Sequence, residues 1–505
     1  MNKYRTLLML VVLVAFSACE LKDPTQPEIT TVKEDQLALT KLVFIGNSLT
    51  AGFQSGGLVE EFQTNSFPAL IARQLGQSDV FELPLISDPG VGSTPGFGPM
   101  KFENGSIVSG DPIPNFPAGV PLLLQNATLA RPYDNLGIPG ANLNEALNAT
   151  SASAAGGNPF FDIVLRNPNF ANMTQVEQAK ILNPTLVVAW LGNNDVLGAA
   201  LAGGDLSQIT DIADFQADYT TLVTELGEIR GGNVGIILVN IPNVTDIPYV
   251  NMLDAIIQQV PTAAGLMNLP VVFALDPTAG FVPVDFDTSA AGTLYLPLLT
   301  DESVFTGSPV NHLTLPFLSE YQSSGLGVPD SAAIHAMLSS LGVPGPIAAV
   351  QAQQAVGAMV AAGLTPSGIS VPGSMTITAA EETALMQAVA EFNQVISGIA
   401  GSAGIPVVDA KAKLTELNQN GIDGFSGRFV LLDPQNTAFS LDGVHPNSAG
   451  YAIIANEIIT LMNSLSADIS IPLVNTDSFR GQYTSVQLPK ISQEAAKQAK
   501  AIFVK

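Results

Sequence analysis

Three short runs along the chain are apolar without the alternation of a half-solvated strand: Lys41 to Gly46, Pro184 to Leu191 and Asn233 to Ile241. Runs of this kind, rich in β-branched residues, read as strands buried on both faces, as in a parallel sheet covered by helices. A fourth, Ile405 to Asp409, follows a long helical pattern. Helical periodicity marks Ser66 to Leu75, Thr376 to Ile399 and Asn447 to Leu461, with Asn447 placed to cap the last. Alternating strand and helix predicts an α/β fold, three layers deep (α/β/α), around a mostly parallel sheet.

The rhythm breaks twice. Gln77 to Pro132 is dense in turn residues, including Asp88-Pro89-Gly90 and Gly96-Phe97-Gly98-Pro99, and reads as a long excursion (about 77–130). From Ile247 to about Gly373 prolines recur from Pro248 to Pro372, and the stretch 248–373 reads as an inserted cap or subdomain. No repeat of fixed period is visible. The principal domain is expected over 39–463, followed by a tail, 464–505, that either packs back or stays loose.

The beginning of the chain changes the picture from a plain globular domain to an exported one. Lys3 and Arg5 precede the apolar run Leu7 to Phe16, too short to span a bilayer but suited to a signal peptide over 1–18. The run ends in Phe16-Ser17-Ala18-Cys19, which resembles a bacterial lipoprotein cleavage box, so Cys19 is the expected lipidation site and 19–38 a tether. The chain is expected to be exported and lipid-anchored to the bacterial cell envelope, at the outer membrane. Cys19 is the sole cysteine, which excludes an internal disulfide. Ile347 to Leu364 is Ala-rich, but Gln351, Gln353 and Gln354 make it a soluble helix and not a membrane span.

Of 505 residues 47% are hydrophobic and 12% charged, enough to bury a large core. The formal net charge of −25 argues against a nucleic-acid partner, since phosphate binding needs clustered Lys and Arg. The chemistry concentrates in four places. Gly46-Asn47-Ser48-Leu49-Thr50-Ala51-Gly52 sets a serine in a tight turn at the carboxyl end of the first strand, where open α/β sheets bind ligands. Near the other end, Asp442-Gly443-Val444-His445-Pro446 offers an imidazole to take the hydroxyl proton and a carboxylate three residues earlier to orient it. The other two histidines, His312 and His335, lie in the irregular insert without a carboxylate at that spacing. Oxyanion donors could come from Gly192-Asn193-Asn194-Asp195, directly after the second strand, or from Asn135-Leu136-Gly137-Ile138-Pro139-Gly140-Ala141.

In chain order these four blocks resemble the SGNH/GDSL hydrolase family, over roughly 41–76, 131–250 and 376–463. Asn240-Ile241-Pro242-Asn243-Val244 also looks like a strand-and-proline segment of that family. The resemblance implies a triad of Ser48, His445 and Asp442, and an oxyanion hole formed by the Ser48 N–H, the Gly140 N–H and the Asn194 side chain. It departs at Asn47, where the family usually has Asp; this touches local hydrogen bonding more than catalysis. Asp195 is expected to brace its own loop.

No cofactor is expected. Asp285-Phe286-Asp287 and Asn418 to Asp423 read as turns, not metal sites, and no nucleotide-binding glycine pattern follows a strand. The expected activity is a carboxylic ester hydrolase, its substrate lipidic or acetylated. The lipid anchor and the apolar runs Leu294 to Leu299 and Leu313 to Leu318 favour lipidic esters, although those runs serve equally as the core of the insert. The alternatives are an O-acetyl esterase of polysaccharide, and a non-catalytic outer-membrane binding or assembly lipoprotein that keeps the fold.

Overall fold

The computed structural model describes residues 39–481 and 483, apart from 104–105, 168, 264, 286–290 and 303–306. The expected signal peptide, the tether and Cys19 lie outside the described residues. At the centre is a five-stranded parallel sheet of β1 (Leu42–Gly46), β2 (Asn135–Gly137), β3 (Leu186–Trp190), β4 (Gly235–Val239) and β5 (Val407–Val408), in the order 2-1-3-4-5. The chain steps outward from β1 to β2, then returns across β1 to build β3, β4 and β5 on the other side. Beside β1 and β3 this reversal opens a crevice at the carboxyl ends of the strands, the usual ligand position in such sheets.

Both faces of the sheet are covered, which is why β1, β3, β4 and β5 carry no polar side chain. Val43, Ile45, Val187, Ala189, Ile236 and Leu238 pack on one face against α2 (Leu143–Asn148), α3 (Gln175–Ile181), α4 (Asn194–Leu201), α5 (Ile212–Gly227) and α6 (Ala379–Ala403). The alternate residues, Leu42, Phe44, Leu186, Val188, Trp190, Ile237 and Val239, pack on the other against α1 (Phe67–Gln74) and α8 (Ser448–Leu465). Between α8 and β5 lies α7 (Ala410–Asn420). Each large side chain buried in this way contributes roughly 1.5–3 kcal/mol. Phe215 of α5 and Phe392 of α6 stack at 4.0 Å between ring centroids and hold those two helices together.

The helix starts follow from their caps. Ser66, Thr378 and Asn447 accept from the N–H groups of Ala69, Glu381 and Ala449, and at Thr378 a reciprocal bond from Glu381 completes a capping box. Each such cap is worth about 1 kcal/mol. Residues 376–378, read from the sequence as helix, form a short strand instead and pair with Val310–Leu313.

The two irregular stretches differ in character. The excursion of 77–130 is mostly turns, with one small hairpin of Lys101–Glu103 and Ser106–Val108 and a short strand, Val91–Gly92, that pairs back with Gly57–Leu58. The insert is far more regular than its prolines suggest: an antiparallel sheet of Ile257–Thr262, Gly265–Asp276, Gly280–Pro283 and Leu294–Pro297, then helices Pro316–Ser324, Ser331–Ser340 and Gly345–Ala361. It has its own core, in which Phe273, Leu296, Leu298, Leu313, Phe317 and Met359 are buried. Most of the apolar surface in Leu294–Leu299 and Leu313–Leu318 is therefore consumed internally. Among the described residues no helix is long and apolar enough to cross a membrane. The first part of the tail packs back on α8, where Asn456 pairs with Val474 and Asn463 with Ile471 through both amide atoms.

Candidate active site

Ser48 opens a single helical turn, Ser48–Ala51, immediately after β1. The turn is tight because Gly46 has no side chain: a Cβ there would stand 2.0 Å from Thr50 Oγ1 and 2.8 Å from the Trp190 carbonyl. Asn47 caps the turn with its oxygen, Oδ1 accepting from the Leu49 N–H at 3.1 Å, and leaves its buried Nδ2 without a partner among the described residues. Buried Gln175 donates to the carbonyls of Gly46 and Leu136, tying the ends of β1 and β2 beneath the site.

The loop before α8 brings in the imidazole. Asn447 both caps α8 and donates to the carbonyls of Thr437 and Phe439, fixing the loop that carries Asp442 and His445. His445 Nε2 lies 2.9 Å from Ser48 Oγ, and its Nδ1 lies 2.9 Å from Asp442 Oδ2. With its proton on Nδ1 and donated to Asp442, the ring leaves Nε2 to accept from the serine. Phe53 packs its ring 4.8 Å from the imidazole and limits its rotation.

Asp442 is held by more than the histidine. Its Oδ1 accepts from the N–H groups of Val444 and His445, both at 2.8 Å, and from Ser440 Oγ at 3.1 Å; Oδ2 also accepts from Gly56 N–H at 2.8 Å. Burial alone would raise this carboxyl. The charge of His445, its ring hydrogen bond and the two backbone donors outweigh burial, and Asp442 titrates below the ordinary carboxylate range. Gly56, Ser440 and Phe53 carry no sequence signal: they act through a backbone N–H, a hydroxyl and a ring that any loop could contain.

The expected oxyanion donors stand on the same edge. Gly140 follows β2 at φ +81, and a Cβ there would meet Asn158 Nδ2 at 2.9 Å, so the position favours glycine on two counts. Asn158 donates to the Pro139 carbonyl at 2.7 Å. Across a trans peptide the Gly140 N–H points the opposite way, and it has no partner among the described residues. Asn194, at the start of α4, uses one amide hydrogen on the Ala141 carbonyl at 2.8 Å, and the second has no partner among the described residues. Ser48, Gly140, Asn194 and His445 all line one cleft of about 1120 Å³.

Asp195 does more than brace its own loop. Its carboxylate accepts from the Leu143 N–H at 3.0 Å and from the Thr210 hydroxyl at 2.9 Å, joining the start of α2 to the segment before α5. Burial pushes its carboxyl up to about 6. His312 is likewise engaged in structure: its Nδ1 meets Asp254 at 2.7 Å within the insert and its Nε2 lies 3.3 Å from Glu382 of α6. Burial would lower this imidazole, but the two carboxylates raise it to about 9, so it is a charged pin between insert and body.

Of the turns weighed as ion sites, Asp285-Phe286-Asp287 falls partly outside the described residues. Asn418 and Asp423 instead hold the end of α7, on the Asp246 carbonyl and the Thr476 hydroxyl. Among the described residues no cluster of three or more His, Cys, Asp or Glu could hold a metal ion. No family model, curated protein or solved structure matches the chain. The functional reading therefore rests on the geometry of the site.

Proposed function

We propose that the chain is a serine-dependent carboxylic ester hydrolase of the SGNH type. The observation that carries the proposal is the unbroken hydrogen-bonded relay from Ser48 through His445 to Asp442, at 2.9 Å per step, on the sheet edge that also presents Gly140 and Asn194. His445 Nε2 takes the Ser48 proton as Oγ bonds to the ester carbonyl carbon. The oxyanion then forms opposite the Ser48 and Gly140 N–H groups and the second Asn194 amide hydrogen. On collapse the carbon–alkoxy bond breaks and the proton passes from His445 to the leaving alcohol. Water, deprotonated by the same nitrogen, releases the acid and returns the proton to Ser48.

The cleft is lined by Ser93, Thr94, Asn158, Ser319 and Gln322 beside Met100, Ile107, Leu318 and Phe429, a mixed surface that suits a partly polar alcohol. The amino-terminal segment adds an exported, lipid-anchored setting through Cys19. The decisive experiment is labelling by a small fluorophosphonate together with p-nitrophenyl acetate hydrolysis, in the full chain and in Ser48→Ala. The substitution is expected to abolish labelling and to lower kcat by at least about 10³-fold. Equal turnover in both proteins, or none in either, rejects the proposal and favours a binding role.

A further inference from the structure

A second, much smaller space also reaches Ser48. It holds about 120 Å³, against about 1120 Å³ for the cleft, and shares Ser48, Asn194, Leu197, Val444 and His445 with it. Its walls are the ends of β3, β4 and β5 and the facing sides of α7 and α8. The side chains there include Trp190, Val239, Val244, Leu414, Leu417 and Ile454. At its margin Lys413 of α7 pairs with Glu457 of α8 at 2.9 Å and ties the two helices together. Trp190 turns its one polar atom away, donating from Nε1 to the Asn240 carbonyl, and so offers the slot hydrocarbon surface.

We propose that this slot takes the acyl chain of the ester, and that the substrate class is esters of aliphatic acids longer than acetate, joined to a larger and partly polar alcohol seated in the cleft. The assignment rests on the ester hydrolase reading and follows from the order of events in that chemistry. The alcohol must depart first, and water must then reach His445 by the path that the alcohol vacated, while the acyl group stays bonded to Ser48. The wide cleft, walled by Ser93, Thr94 and Gln322, provides that path. The slot, narrow and apolar, provides a place for the part that stays. Each methylene moved from water into such a surface favours the bound transition state by about fourfold. Acyl selectivity thus resides in α7 and α8, and the excursion and the insert together govern the alcohol.

The test uses two substrate series with the purified full chain: p-nitrophenyl acetate, butyrate and hexanoate, and acetate esters of alcohols of increasing length. Leu414 and Ile454 are half-buried at the slot, so Leu414→Trp and Ile454→Trp fill it from two different helices. The wild-type protein is expected to gain at least tenfold in kcat/KM from acetate to hexanoate. Each substitution should lower that hexanoate-to-acetate ratio at least tenfold, with Ser48 still labelled by the fluorophosphonate. Thermal unfolding identifies a variant that fails to fold, and the other then decides. A wild-type preference for acetate, an unchanged ratio in the folded variants, or a chain-length gain confined to the alcohol series overturns the slot assignment while leaving the ester hydrolase intact. Absence of hydrolysis and of Ser48 labelling in the wild-type protein overturns both.

Discussion

Asp442→Asn isolates the orienting acid with almost no change in volume. Five hydrogen bonds converge on the carboxylate: from Val444 N–H, His445 N–H and Ser440 Oγ on Oδ1, and from Gly56 N–H and His445 Nδ1 on Oδ2. An amide can satisfy only one side. With its oxygen at the Oδ2 position it would confront two backbone donors with an NH2 group; with its oxygen at the Oδ1 position it confronts one, that of Gly56. One buried, unsatisfied donor costs roughly 1–3 kcal/mol, so the second arrangement wins. The NH2 group then faces His445 Nδ1 and forces the ring to carry its proton on Nε2, where it can no longer accept from Ser48. The expected loss in kcat is about 10⁴-fold, or roughly 5.5 kcal/mol of transition-state stabilisation. KM should change little, and stability should fall by roughly 1–3 kcal/mol for the stranded Gly56 N–H. Steady-state p-nitrophenyl acetate hydrolysis and thermal unfolding measure the two effects. A folded variant that loses less than tenfold in kcat would refute the argument that Asp442 sets the tautomer.

Asn194→Ala should lower kcat by about 10²–10³-fold with KM within a few-fold, and a loss under fivefold would remove Asn194 from the oxyanion donors. Asp195 titrates at about 6 in the folded chain against an ordinary 3.8, so its contribution to stability is full below about pH 4 and lost as pH rises through 6. In Asp195→Asn the oxygen keeps the Leu143 N–H and the NH2 group can donate to the Thr210 hydroxyl. Relative to wild type the variant should therefore gain on the order of 2 kcal/mol between pH 4 and 8, read from melting temperatures; no pH-dependent difference would contradict the burial of that charge. His312, raised to about 9, contributes stability fully below about pH 6.5 and loses it as pH rises through 9. Wild type should lose on the order of 2 kcal/mol across that window and His312→Gln should not, the figure being reduced because Asp254 is partly exposed.

The central sheet was legible because four of its strands are buried on both faces and so leave unbroken apolar runs. The fifth, β2, was not: it has three residues, and buried Asn135 opens it, its amide spent on the Thr50 carbonyl and the Gly137 N–H. No hydrophobic pattern survives in so short a strand. The insert was obscured by its prolines. Pro261 and Pro270 stand inside paired strands, and Pro316 and Pro346 open helices, so residues that ordinarily interrupt structure are here built into it. The residues that the fold brings together at the sheet edge were legible where the side chain itself is the signal, as at Ser48, Asp442, His445 and Asn194. The backbone donor of Gly56, the Pro139 peptide held by Asn158 and the slot between α7 and α8 are products of tertiary approach, which no local spacing encodes.

Ser48 and His445 meet from positions 397 residues apart. Ser48 emerges from synthesis well before His445, with the excursion, the insert and α6 all made in between. A chain stalled or clipped anywhere ahead of residue 442 therefore carries a serine with neither base nor orienting acid. On the proposed reading, turnover becomes a readout of completed biogenesis.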